Sequence, residues 1–203
     1  MSLLLADSET KTNLMRAFAG ESQARNRYTF AAELAKTQQY EVLEKVFLFT
    51  ADQEKAHAKV FMDFLTPLSG KNLPLDGTYP VDCYPDVLDH LKAARQHELD
   101  EFSDVYPAFS AVAAEEGFAD IADAFGRIAL IEKTHADRFG HLAELLEQKK
   151  LFVSDAETGW ICLNCGTIVN STAAPTLCPV CKHNQGFFVR LQFSPYLCSG
   201  CFK

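Results

Sequence analysis

Four stretches of this chain place apolar residues at steps of three and four, and each stripe is broken near its middle by Glu or His. Such steps mark one buried face of a helix. The first stripe runs Leu14, Ala17, Glu21, Ala24, Tyr28, Ala31, Ala35, and the second Leu43, Phe47, Thr50, Glu54, His57, Phe61, Phe64. The third runs Val87, Leu91, Ala94, Glu98, Glu101, Val105, Ala108, Val112, and the fourth Phe118, Ile121, Phe125, Ile128, Glu132, His135, Phe139, Leu142. Five carboxylates and two imidazoles are thus expected at similar depth inside a helical core. One unpaired buried carboxylate is costly, and five together repel strongly. The same faces hold no matching set of Lys or Arg, whereas two divalent cations bring +4 against the −5 of Glu21, Glu54, Glu98, Glu101 and Glu132.

A lone Glu on a helix is usually solvated, and Glu-x-x-His arises often by chance. Two such pairs (Glu54/His57 and Glu132/His135) with a Glu on each remaining helix form the constellation of di-iron and di-manganese carboxylate bundles. Mixed carboxylate and imidazole donors suit iron or manganese, and open positions permit oxygen or peroxide chemistry. Zinc fits the same residue types but has no redox role. Tyr28 and Tyr106 read either as core aromatics with bonded hydroxyls or as partners of the metal ligands.

The spacing predicts helices over residues 8–37, 40–65, 86–115 and 118–148. Pro and Gly concentrate between Thr66 and Pro85, a connector long for a compact domain. Short links and one long crossover match the ferritin-like four-helix bundle. Pro107, inside the third helix, is expected to kink it.

After Lys150 the 3.6-residue period stops and short Gly, Thr, Val, Cys and Pro stretches take over. So few residues hold a stable core poorly without a metal. Cys162-Leu163-Asn164-Cys165 and, twelve residues on, Cys178-Pro179-Val180-Cys181 give four thiolates able to close around iron or zinc. A third pair, Cys198 and Cys201, is separated from Cys181 by sixteen residues; that gap also fits a zinc motif. The simplest reading keeps the first four as ligands and the terminal pair as an exposed dithiol. Cys83, in the crossover, is expected to be a packed or inert thiol.

Charge is uneven too. Of 27 acidic and 19 basic residues, only Asp155, Glu157, Lys182, Arg190 and Lys203 fall after residue 150. The first 150 residues therefore carry −9, which argues against nucleic acid as partner. No apolar run approaches the roughly 20 residues that span a bilayer. The opening Met1–Asp7 lacks the basic start of a signal peptide. A cytoplasmic protein without a membrane partner is expected.

With these residues assembled, the chain resembles the rubrerythrins over nearly its whole length. The matching stretches are Gly20-Glu21-Ser22-Gln23-Ala24-Arg25, Glu54-Lys55-Ala56-His57-Ala58, Glu98-Leu99-Asp100-Glu101, Tyr106-Pro107 with Glu115-Glu116-Gly117-Phe118, Glu132-Lys133-Thr134-His135 and the two cysteine turns. The resemblance implies a mainly α protein: a ferritin-like di-iron bundle over residues 1–150, then a small, turn-rich, rubredoxin-like β module over 151–203 with a C-terminal CxxC extension. It implies two irons held by Glu21, Glu54, Glu98, Glu101, Glu132 and His135, with His57 exchanging against Glu98 as one iron changes oxidation state. Tyr28 and Tyr106 match tyrosines that hydrogen-bond near that site. One further iron (or zinc) belongs at Cys162, Cys165, Cys178 and Cys181. The implied activity is reduction of hydrogen peroxide to water, with NAD(P)H electrons arriving through a separate reductase. The implied assembly is a homodimer in which one chain's rubredoxin iron serves its partner's di-iron centre. Three departures stand out: the Cys198/Cys201 extension, His97 where a small residue is common, and Thr167 where an aromatic often follows the cysteine turn. Alternatives from the residues alone are a ferroxidase or iron-handling ferritin relative, and a non-catalytic module with a structural zinc ribbon.

Overall fold

The computed structural model describes residues 3–194, so the terminal Cys198 and Cys201 lie outside the described residues. Helix α1 (Glu9–Thr37) pairs with α2 (Glu41–Phe64) through a tight turn at Gln39. The third bundle helix is composite: α3 (Val87–Asp100), a π-helical turn (Glu101–Val105) and α4 (Tyr106–Glu115). It packs on α5 (Ala119–Glu147) after a turn at Gly117, whose φ of 87° suits glycine. The chain starts α1 with two caps. Ser8 accepts the N–H of Lys11, while the Glu116 carboxylate accepts the N–H groups of Glu9 and Thr10 at 2.9 and 2.8 Å. Negative charge is favourable at that end of a helix.

The disturbance expected at Pro107 takes the form of the π turn. A proline ring clashes with the carbonyl four residues back, and here the chain widens instead, with the Tyr106 N–H reaching the Glu101 carbonyl. One extra residue enters the turn, and the buried stripe slips by one. Tyr106 and Ala113 are fully buried, whereas Ala108 is exposed and Val105 and Val112 are only half-buried. The expected stripe of Val105, Ala108 and Val112 is corrected: Tyr106 and Ala113 are its fully buried members, with Val105 and Phe109 both packed part-buried against the second apolar cluster.

Two apolar clusters fill the bundle. One holds Leu43, Phe47, Leu91 and Phe139, the other Leu14, Phe61, Phe125 and Ile128. The Glu and His layer lies between them along all four helices. From Ser69 to Asp86 the crossover runs over the outside without helix or strand. Cys83, expected to be packed or inert, is exposed there.

Strand β1 (Val153–Cys162) pairs antiparallel with β2 (Ile168–Ala173) and β3 (Phe188–Arg190), in the order β2-β1-β3. Trp160, Cys162, Ala174, Cys178 and Phe188 form its small core. This sheet docks on the bundle end: Leu163 and Val189 pack against the first apolar cluster, and Asn184 donates to Glu41 at 3.1 Å. Among the described residues no helix is long and apolar enough to cross a membrane.

Candidate metal centres

Helical spacing brings Glu54 and His57, and likewise Glu132 and His135, to one face as i, i+3 pairs. All four are buried, as are Glu21 and Glu98. Glu54 reaches both histidines, Oε2 lying 3.0 Å from His57 Nδ1 and Oε1 3.0 Å from His135 Nδ1. Glu132 does the same from the opposite helix, at 3.0 and 2.8 Å. Glu21 stands on the His57 side at 3.8 Å and Glu98 on the His135 side at 3.4 Å. Two groups result, Glu21, Glu54, His57, Glu132 and Glu54, Glu98, Glu132, His135, each with its donor atoms within 4.8 Å of one another.

The arrangement is close to two-fold symmetric. The Tyr28 hydroxyl donates to Glu98 Oε1, and the Tyr106 hydroxyl donates to Glu21 Oε1. Burial, reinforced by Glu98 beside Tyr28 and Glu21 beside Tyr106, pushes both phenols well above their usual range, so they remain donors. Glu98 thereby turns its other oxygen toward His135, whereas in Glu21 the tyrosine-bonded Oε1 is also the oxygen nearest His57.

Whether these residues fit a pair of cations is decided by their unspent atoms. Glu21 Oε2, Glu54 Oε1, Glu98 Oε2, both Glu132 oxygens and both His135 nitrogens are buried without a hydrogen-bond partner. Several of these atoms nonetheless stand within 3.0 Å of each other, close but wrongly angled for hydrogen bonds. Native proteins rarely leave such atoms orphaned. Donors at right angles around an ion with bonds of about 2.1 Å stand about 3.0 Å apart. The geometry fits two ions that share Glu54 and Glu132.

Without cations the site is electrostatically tense. Burial, then repulsion from Glu132 and Glu54, drives Glu21 well above the ordinary carboxylate range; burial and Glu54 do the same to Glu98. Burial would also raise Glu54, but His135 and His57 pull it down to about 2. Burial would lower the imidazoles, yet Glu132 and Glu54 lift His57 to about 9, and with Glu98 they lift His135 to about 12.

Glu101 is the exception among the five carboxylates. It belongs to neither group of four, is only half-buried, and lines a cavity of about 390 Å³. Burial and Glu98 push it well above the ordinary range. His57 and Glu98, the pair for which an exchange is implied, belong to different groups, and Glu101 belongs to neither. Arg138 was not anticipated. It is a cation beside the layer, donating to Thr50 Oγ1 and Gln53 Oε1 at 2.9 and 3.0 Å. Its only sequence signal is its place three residues after His135.

In the sheet module, Cys162 and Cys181 Sγ lie 3.7 Å apart and Cys165 and Cys178 Sγ 3.6 Å apart. A disulfide needs about 2.05 Å; a tetrahedron with metal–sulfur bonds of about 2.3 Å has edges of about 3.8 Å. The four sulfurs fit the tetrahedron. The two turns are alike: the N–H of Gly166 bonds the Cys162 carbonyl, and that of Lys182 the Cys178 carbonyl, both residues with positive φ. Burial pushes the Cys162 thiol up to about 12, while the His183 N–H holds Cys181 down at about 7. Thr167 Oγ1 lies 3.3 Å from Cys165 Sγ, placing a hydroxyl beside a sulfur that a metal would share.

Comparison with known proteins agrees with both centres. Residues 12–143 match the rubrerythrin family model, and residues 160–189 match the rubredoxin-like domain of rubrerythrin. A rubrerythrin of Clostridium perfringens is 44% identical over 185 residues, 91% of this chain and 95% of that protein. One from Porphyromonas gingivalis is 43% identical, covering 93% and 92%. A solved structure of nigerythrin in a mixed-valence state superposes with a TM-score of 0.61 at 28% identity, covering 92% of this chain and 91% of that one. With a di-iron carboxylate and histidine site in a ferritin-like bundle and a four-cysteine rubredoxin-like site beyond it, this chain belongs to the rubrerythrin family.

Proposed function

We propose that the chain reduces hydrogen peroxide to water at the bundle site, with electrons relayed one at a time through iron at Cys162, Cys165, Cys178 and Cys181. The observation that carries this reading is the pair of buried four-donor groups sharing Glu54 and Glu132. On this reading one ion is held by Glu21, Glu54, His57 and Glu132, the other by Glu54, Glu98, Glu132 and His135. Glu101, outside both groups, would alternate with His57 on the first. When bound, two ferrous ions supply one electron each, which matches the two that an O–O bond consumes.

The chain's own groups do the rest. Tyr106 and Tyr28 hold Glu21 and Glu98 in fixed rotamers through their hydroxyls. The apolar clusters on either side of the layer keep bulk water from the site. Glu101, at the cavity, is the carboxylate positioned to pass protons between solvent and the site.

Two units are proposed: the bundle over residues 1–150 and the module over 151–203, in a cytoplasmic homodimer fed by a separate NAD(P)H-linked reductase. Exposed Phe30, Phe49 and Leu130 supply apolar surface for a second copy. Within one chain the module touches α2 at Glu41, and Glu54 lies thirteen helical steps further along, roughly 20 Å. That separation favours delivery from a partner.

The test is turnover by chemically reduced protein. Glu98→Ala and Glu132→Ala should each abolish peroxide consumption and leave the visible spectrum of the cysteine site intact. Undiminished turnover in both variants refutes the assignment, and a faster initial rate with dioxygen than with peroxide would turn it toward a ferroxidase.

A further inference from the structure

Arg16, Gly20, Gln23 and Arg27 recur on α1 at steps of four, three and four, so they share the face beneath the crossover. Three of them fasten it. Arg16 pairs with Asp76 at 2.7 Å, Gln23 donates to the Pro80 carbonyl at 3.0 Å, and Arg27 pairs with Asp82 at 2.7 Å. Tyr79 completes the attachment by donating to the Arg16 carbonyl at 3.2 Å. Between these ties lies the cavity of about 390 Å³, and its lining includes Glu101 and Tyr106. Tyr106 bonds the metal-site carboxylate Glu21, so the cavity meets the bundle site at these two side chains.

The space exceeds what peroxide needs. A water takes up about 30 Å³, so the cavity has room for on the order of ten, against the two oxygens of hydrogen peroxide. Its other walls include Ala17, Pro80, Val105 and Phe109, apolar surface with no use to so polar a substrate. Gly20 stands among them. Glycine in a helix interior is unfavourable relative to alanine. Yet a Cβ here would meet only Tyr79 Cε1 at 3.8 Å and Glu101 Oε1 at 4.0 Å, both ordinary contacts. Close packing therefore does not demand the glycine. What it provides is open space beside Glu101.

We propose that this cavity admits small alkyl hydroperoxides, seating the alkyl group against Ala17, Pro80, Val105 and Phe109 and passing the O–O end by Gly20 toward Glu101. The proposal rests on the peroxidase reading and extends its substrate class. The reaction balances as ROOH + 2 e⁻ + 2 H⁺ giving ROH + H₂O. The O–O bond breaks, one oxygen leaves with the alkyl group as alcohol and the other as water. The electrons are those the reduced metal pair holds under that reading, restored by a one-electron donor, and the protons come from solvent.

The experiment compares tert-butyl hydroperoxide with hydrogen peroxide on the iron-loaded full-length chain and on Gly20→Leu and Val105→Phe, which narrow the cavity from opposite walls. The expected result is turnover of both substrates by the unaltered protein. In either variant that retains iron, kcat/KM for tert-butyl hydroperoxide relative to hydrogen peroxide should fall about tenfold or more. A second readout is independent of activity: in zinc-loaded protein the amide signals of Gly20, Tyr79 and Val105 should move on titration with tert-butyl alcohol, and this response should be lost in Gly20→Leu. Reduction of hydrogen peroxide without any of tert-butyl hydroperoxide overturns the proposal alone. Reduction of neither overturns the peroxidase reading with it. An unchanged substrate ratio in both iron-retaining variants, or tert-butyl alcohol shifts absent from the unaltered protein, also overturns the proposal.

Discussion

Glu54 and Glu132 each touch both histidines, and this sharing sets the proton chemistry of loading. In the metal-free site His57 and His135 are raised to about 9 and about 12, so both carry a proton at pH 7. An imidazole must be neutral to bind a metal, so loading two ions at pH 7 should release at least those two protons. The sign follows: as pH falls below neutrality more protons must be displaced and affinity drops, while above about 9 the His57 contribution levels off. Titration calorimetry of the metal-free protein with ferrous or zinc ions, run in phosphate and in Tris, should give heats that differ by the buffer ionisation of two or more protons. Heats independent of the buffer would contradict the buried, charge-paired histidines.

At the scale of elements, the π turn decides which residues of the third helix face the core. Ala113 is fully buried and Val112 half-buried because one extra residue enters at Glu101–Val105. Ala113→Lys buries a charge without a partner and should cost roughly 3–5 kcal/mol. Val112→Lys should cost about 1 kcal/mol or less, since its side chain reaches solvent. Equal losses in denaturant midpoint, or the reverse order, would contradict the slipped register. The helices and their ends were legible from apolar steps, and the ligand layer from Glu and His in otherwise apolar stripes. The slip was not, because a 3.6-residue period has no way to admit an inserted residue; Pro107 signalled a disturbance without its form. The place of Glu101 outside both donor groups was equally hidden, since it depends on that turn. So was the cavity beneath the crossover, which arises from an irregular segment with no period to read.

For the whole molecule, the question is how firmly the four-cysteine module sits on the bundle. Gly186 lies so close to α2 that an added Cβ would stand 2.0 Å from both the Gln39 carbonyl oxygen and Glu41 Oε2. Asn184, two residues earlier, donates to the same Glu41. Gly186→Ala should therefore push the module from its seat at a cost of roughly 1–3 kcal/mol, while both metal sites still fill. Proteolysis between α5 and β1 should speed up, and electron transfer from the cysteine site to the bundle site should slow. Unaltered cleavage would show that this contact does not hold the two units together.

The account depends most on two cations sitting together in the bundle, shared by Glu54 and Glu132. Anomalous scattering from crystals of iron-loaded protein, measured on both sides of the iron absorption edge, tests this directly. Two peaks about 3.5–4 Å apart, flanked by Glu54 and Glu132 and capped by His57 and His135, are predicted, with a third among the four cysteines. A single peak in the bundle, or iron found only among the cysteines while the carboxylates pair with one another, would contradict it.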